Sequence, residues 1–388
     1  MDNTLLLVGF RQDLLKACKE LNFPFYLWTE REPRFHQLGA LNFIYPYSSG
    51  KKQLVASLKQ IQSSLSEGIA TVIPATEKSV VPSSLIAQAI GANGIAPLTA
   101  WRCTDKLLMK NYLSTKSIPM ARYQPFKKNL SFQTLGDHLH WPIVAKFRNE
   151  SGGKGVGIAS SATELEPLLA RGRLFEQFID SKECSVESFV LNGQIVFTNI
   201  TEYYKKQHIN VVPANYNDEI TNQILTLNQS VIDALKIKNG MTHLEMYLTE
   251  NGPYFGEIAH RPPGGYIMKL IELAYGFCPW QAYVSVSMHQ QPTIYQNPRC
   301  YAAAHVIYPG EGSITSLDLA AWKNLKDREG IQRVKLKISE GDTLGRRISS
   351  GQDAGYVIQQ NPSYGALIQE VNSIDSFITS TLNLQSVI

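Results

Sequence analysis

The sequence predicts a protein of α/β and α+β class. An N-terminal domain with a parallel sheet comes first, then a hairpin-rich core and a C-terminal α+β lobe. Three observations predict this. Up to about residue 95, short apolar runs alternate with segments of helical period, the pattern of strands joined through helices. From Pro142 to Ala259, strand-like runs are separated mainly by tight-turn sequences. Beyond residue 300, short strands and turns alternate again, with one helical segment near 364–371.

The elements follow in order. Residues 4–10 (TLLLVGF) read as a buried strand, and Gly9 leads into a helical pattern of Leu14, Leu15, Cys18 and Leu21. Residues 24–29 and Phe43–Tyr47 are strand-like, 54–65 helical, and Thr71–Pro74 a strand. Ser79–Ile90 is a helix closed by Gly91. The first domain therefore spans about 1–95. A helix is expected over 100–117, stopping before Ile118–Pro119. PIVAKF (142–147) and GVGIA (155–159) are strands around a loop, and a helix over 162–171 opens with a capping box of Ser161 and Glu164. LFEQFI (174–179) is a strand. SVESFV and QIVFTNI flank Asn192–Gly193, a strong hairpin signal. Residues 226–239 are helical, 242–248 and 253–259 are strands, and Gly265–Tyr275 is a helix.

Bulk properties narrow the function. Hydrophobic residues make up 44% and charged residues 18% of 388, the balance of a folded chain. A net charge of +4 gives no bulk electrostatic support to a nucleic-acid or membrane-surface role. The five cysteines contain no CxxC pair, which reads as reduced, buried thiols. The N-terminus lacks a basic n-region, and no run approaches the roughly 20 apolar residues of a membrane span. A cytoplasmic protein is expected. The sequence is compatible with a homodimer and does not fix the oligomeric state.

The segment from His243 to Glu257 is the most informative. With a two-residue turn at Asn251–Gly252, Glu245 and Glu257 would point to opposite faces. With a three-residue loop at Glu250–Gly252 they would sit directly opposite each other. His243, Tyr247, Phe255 and Ala259 would then share their face, and Leu244, Met246, Leu248, Tyr254 and Ile258 the other. The second register suits the hydrophobic pattern but sets two like charges side by side. A hard divalent cation such as magnesium would relieve that repulsion; two solvated glutamates are the plain alternative.

Upstream, Ser151-Gly152-Gly153-Lys154-Gly155 lies between two strands, where backbone N–H groups can approach an anion and Lys154 adds charge. Lys146 ends the preceding strand. The loop matches neither the Walker A nor the dinucleotide pattern, and by itself reads as a structural turn rather than a phosphate site.

The order of these features resembles the ATP-grasp superfamily of carboxylate–amine ligases, in the branch of L-amino acid ligases and carbamoyl-phosphate-synthetase-like proteins. The matching residues are Asp105–Lys106 with Lys110, PIVAKF followed by SGGKGVGIA, LFEQFIDSKECSVESFV, and HLEMYLTENGPYFGEIAHRPPGG. The resemblance implies a pre-ATP-grasp domain at 1–95, a two-lobed ATP-grasp core at 96–300 with its small lobe at about 118–178, and the extra lobe at 301–388. It implies ATP and one or two magnesium ions, with a small-molecule carboxylate and an amine as substrates. Lys106 and Lys146 would contact phosphates, and the loop Ser151–Gly155 would close over them. Glu176, Gln177 and Ile179 would hold adenine, and Glu183 the ribose. Glu245 and Glu257 would bind magnesium, and Arg261 would stabilise the transferring phosphoryl group. The family's Glu-x-Asn at the second metal strand is Glu257-Ile-Ala259 here, which puts the second metal in question. An ATP-binding pseudoenzyme and a bicarbonate-phosphorylating, carboxylase-like enzyme are the competing readings.

Overall fold

The first strands pair in the order Phe43–Ile44, Phe25–Trp28, Leu5–Val8, Thr71–Pro74, and every pairing is parallel. The computed structural model describes residues 3–29, 43–44, 68–348 and 351–385. The helix expected over 54–65 and the end of the strand expected at Phe43–Tyr47 lie outside the described residues. Leu5–Val8 is wholly buried, as a central parallel strand requires. Helix Gln12–Glu20 buries Leu14, Leu15, Ala17 and Cys18; a leucine side chain taken out of water in this way contributes roughly 1.5–3 kcal/mol. Helix Val80–Ile90 stops where the sequence predicts, at Gly91 in the left-handed conformation.

A four-stranded antiparallel sheet follows, in the order Tyr123–Pro125, Arg173–Gln177, Ile143–Phe147, Gly157–Ala159. The largest sheet has eight antiparallel strands: Gly252–Ala259, Gly240–Thr249, Lys182–Leu191, Gln194–Lys205, Ile209–Val212, Tyr301–Ile307, Gly355–Asn361 and Ile331–Leu336. It runs without a break across residue 300, where the sequence suggested a boundary, because Tyr301–Ile307 pairs with Ile209–Val212. The turn at Asn192–Gly193 is the tight hairpin expected: Leu191 pairs with Gln194, and both turn residues have positive φ.

Four helices differ from expectation. The segment 100–117 is two helices, Pro97–Arg102 and Lys106–Ser114, because Asp105 turns out of the first and caps the second through Leu107 N and Leu108 N. The helix expected over 162–171 is Ala162–Leu165, continuing as a 3-10 turn at Glu166–Leu168 that contains Pro167. The helices at 226–239 and 364–371 are longer, Asp218–Leu235 and Tyr364–Thr381, each capped by a side chain, Asn217 and Ser363. Of the cysteines, Cys18, Cys103 and Cys184 are buried; Cys278 and Cys300 are half-buried. Among the described residues no helix is long and apolar enough to cross a membrane.

One hydrophobic cluster joins the parallel sheet to the large sheet. It runs from Leu5, Leu14 and Cys18 through Ile271 and Tyr283 of helices Ile267–Tyr275 and Pro279–Ser287 to Ala302 and Tyr356. The Tyr283 hydroxyl donates to the Pro74 carbonyl at 2.8 Å. This packing fixes the C-terminal edge of the parallel sheet beside the end of the Gly252–Ala259 strand.

Candidate active site

Three central strands of the large sheet present one polar face and one apolar face, as a period of two requires. Cys184, Val186, Leu244 and Met246 go into the core. The alternate positions Glu183, Ser185 and Glu187 stand beside Tyr247, Glu245 and His243 respectively. Glu187 is fully buried yet fully partnered. It accepts from Ser185 Oγ at 2.7 Å, Asn199 Nδ2 at 2.7 Å and Thr201 Oγ1 at 2.6 Å, and meets His243 Nδ1 at 2.8 Å. The other imidazole nitrogen, His243 Nε2, lies 3.4 Å from Glu245 Oε1. Burial, the largest influence on His243, opposes its charge; hydrogen bonds to Glu187 and Glu245 outweigh it and raise the group to about 9.

Glu245 and Glu257 are direct cross-strand partners. The face agrees with the second register, but the route to it differs from the expected three-residue loop. Thr249 pairs with Gly252 around a two-residue turn, Glu250–Asn251, and a bulge at Gly256 then advances the second strand by one residue. The bulge is sited where only glycine fits, since a Cβ on Gly256 would meet the Glu245 carbonyl oxygen at 2.8 Å. Between turn and bulge the faces are exchanged. Phe255 pairs with Met246 and lies in the core, whereas Tyr254 stands opposite Tyr247, the reverse of the expectation for both.

A cavity of about 620 Å³ lies over this face. It is lined by Lys106, Lys146, Ser151, Gly152, Gly153, Lys154, Gln177, Ile179, Glu183, Glu245, Glu257 and Arg261. Two expected residues are not in its wall. Gly155 packs its Cα side against the Phe147 ring and accepts from Arg173 Nη1 at 2.9 Å. Glu176 is 1% exposed and is clasped from two sides, by Lys146 Nζ at 2.8 Å and Lys110 Nζ at 3.4 Å, so its carboxylate is not available to a base. Burial pushes Glu176 up, but the ammoniums of Lys110 and Lys146 dominate together and hold it down at about 2. It joins the two lysines in one buried ion-pair cluster.

The remaining charges are paired across elements. Lys106 Nζ lies 3.2 Å from Glu257 Oε2. Lys206 is bonded to Glu183, whose carboxyl burial pushes up despite that partner. The recessed position of Glu245 pushes its carboxyl up; the hydrogen bond from His243, with Lys146 and Lys106, outweighs this and holds it at about 2. Tyr203 Oη donates to Glu245 Oε1 at 3.3 Å. Arg261 Nε donates to Glu77 Oε2 at 2.6 Å. His260 turns away from the cavity: its ring is buried, with Nε2 3.0 Å from the Asn239 carbonyl, and burial pushes it down to about 4. His243 and Lys206 line the cavity, whereas Lys205 pairs with Asp375 of the C-terminal helix.

Sequence reasoning missed the roles of Glu187, Lys110, Arg11 and Arg347. Two signals were available: Glu187 interrupts an apolar strand, and Lys110 stands one helical turn from Lys106, on the same face. Arg11 and Lys78 line the cavity from the edge of the parallel sheet. Arg347 lines the cavity too and donates from Nη2 to the Gln207 carbonyl at 3.0 Å.

Comparison with known proteins places this geometry. The model of the ATP-grasp domain matches residues 111–268, the stretch that contains Lys146, the glycine loop, Glu245, Glu257 and Arg261. This chain carries an ATP-grasp domain. The chain is 28% identical over 305 residues to the L-arginine-specific L-amino acid ligase of Bacillus subtilis, covering 73% of each sequence. Among solved structures, the L-amino acid ligase from Bacillus licheniformis superposes with a TM-score of 0.78 at 16% identity, covering 100% of this chain and 99% of that one. N5-carboxyaminoimidazole synthetase from Staphylococcus aureus, solved with ADP, superposes with a TM-score of 0.73 at 15% identity, covering 96% of each. These structural likenesses establish the ATP-grasp fold along nearly the whole chain, including the parallel sheet and the strands beyond residue 300.

Proposed function

We propose that this chain is an ADP-forming carboxylate–amine ligase whose acid substrate is of the amino-acid class. One observation carries the reading. Glu245 and Glu257 face each other inside the same cavity as the glycine loop, Lys106, Lys146 and Arg261.

In this reading the adenine lies against the backbone of Gln177 and Ile179. The ribose hydroxyls take Glu183 as their acceptor, displacing Lys206. Lys146, already fixed by Glu176, and Lys106 meet the phosphates, and the loop Ser151–Lys154 covers them. The facing carboxylates suit a hard divalent ion, magnesium by their oxygen chemistry. Among the described residues no set of three His, Cys, Asp or Glu side chains is grouped to hold an ion. Glu245 and Glu257, as cross-strand partners, would be its two protein ligands. Magnesium would neutralise charge on the triphosphate. A carboxylate oxygen of the acid attacks the γ-phosphorus, and ADP leaves. The amine nitrogen then attacks the acyl carbon, and phosphate departs as the amine loses a proton. Arg261 faces the transferring group, and its charge favours the transition state over the ground state. The likeness to an L-amino acid ligase along 73% of the chain supports an amino-acid substrate.

Incubation with ATP, magnesium and amino acids, singly and in pairs, tests the reading. Phosphate release with a matching condensation product by mass spectrometry is expected; no release with any pair counts against it. Ala259 favours a second reading, an ATP-binding protein without turnover, for which ATP would raise the melting temperature and release nothing.

A further inference from the structure

We propose that Glu77 is a positioning residue for Arg261, holding its guanidinium across the junction between the parallel sheet and the large sheet. The inference rests on the ligase reading given above.

Glu77 follows Thr71–Pro74, at the C-terminal edge of the parallel sheet, where open α/β sheets bind ligands. Thr76 and Ser79 form a capping box that fixes this turn, with Thr76 N donating to Ser79 Oγ at 2.9 Å. Arg261 lies two residues beyond the Gly252–Ala259 strand. The two side chains are 16% and 14% exposed, and Arg261 Nε meets Glu77 Oε2 at 2.6 Å. Arg261 Nη1 donates to the Pro262 carbonyl at 2.8 Å, and Nη2 has no partner among the described residues. Glu77 thus holds the guanidinium at Nε and the Pro262 carbonyl holds one Nη1 hydrogen, which leaves the outer Nη1–Nη2 edge of a side chain that lines the cavity. That edge is the one a planar oxyanion engages through two N–H groups. Nothing else among the described side chains fixes Nε, so removing the Glu77 carboxylate leaves the guanidinium only its Nη1 bond to the Pro262 carbonyl and lets the fork pivot about it without removing its charge.

The experiment uses the full chain and calorimetry with ADP alone and with ADP plus aluminium fluoride, a mimic of the transferring phosphoryl group that needs no acceptor substrate. In Glu77→Gln the ADP affinity should stay within about twofold. Affinity for the ADP–fluoroaluminate pair should fall roughly ten- to a hundredfold, the scale of misplacing a catalytic group by about 1 Å. Glu77→Asp, which keeps the charge, should recover part of the loss. With the best amino-acid pair, kcat should fall in Glu77→Gln while the KM for ATP holds. Equal loss of both ligands, or no loss of fluoroaluminate affinity, overturns the proposal, as does a Glu77→Asp variant no better than Glu77→Gln. Failure of the wild-type chain to bind ADP would instead overturn the nucleotide reading on which the proposal stands.

Discussion

Gly256→Ala is the substitution that the acidic hairpin tolerates least for its size. The added Cβ would lie 2.8 Å from the carbonyl oxygen of Glu245 and 3.3 Å from its carbon, about 0.6 Å inside ordinary contact with the oxygen. Both are backbone atoms of the neighbouring strand, so no side chain can swing aside. Forcing one methyl group into such a contact costs about 1–3 kcal/mol. The strain falls between Glu245 and Glu257, where the bulge sets the register, so loss of the bulge would carry Glu257 away from its partner. Urea unfolding should show the destabilisation as a lower midpoint with an unchanged slope. Titration with ATP in the presence of magnesium should show affinity falling by tenfold or more, with less change for ATP alone. A Gly256→Ala protein with wild-type midpoint and wild-type magnesium dependence would refute the steric argument and the importance of the bulge together.

Lys110 has no contact with the cavity but holds one oxygen of Glu176 at 3.4 Å, in full burial. Lys110→Met should therefore lower the unfolding free energy by about 3 kcal/mol, measured in urea, because a buried carboxylate loses one of its two cations. His260 is buried and held at about 4, well below the 6.5 of an exposed imidazole. Its folded-state pKa is depressed, so the unfolded chain binds the extra proton first. The stability it contributes is present above about 6.5 and is lost as pH falls toward 4. Between pH 7 and pH 5 the wild type should lose roughly 2 kcal/mol more than His260→Gln. Parallel urea midpoints for the two proteins across that interval would contradict this.

Local patterns carried much of the architecture. Strand Thr71–Pro74 and the Asn192–Gly193 turn follow from apolar runs and from residues that tolerate positive φ. The opposition of Glu245 and Glu257 was legible because core-facing Leu244, Met246 and Ile258 leave one reasonable face for the charges. The exchange of Tyr254 and Phe255 was not, since the bulge depends on how closely two backbones approach at Gly256. Lys146 and the glycine loop could be placed from the turn chemistry between two strands. The partners of Glu176 could not, because Lys110 comes from a helix packed through the tertiary fold. Likewise Glu77 and Arg261 are 184 residues apart, and only the packing of helices Ile267–Tyr275 and Pro279–Ser287 brings them together. Sequence periodicity reports which face a residue takes; it does not report which distant residue meets it there.

The central claim is that the cavity transfers a phosphoryl group from ATP to a carboxylate before an amine attacks. Supplying the acid substrate with 18O in its carboxylate and weighing the released phosphate tests this most directly. The account predicts one 18O atom per phosphate, carried over when the acyl phosphate is cleaved by the amine. Unlabelled phosphate, with label entering only from 18O-water, would contradict it.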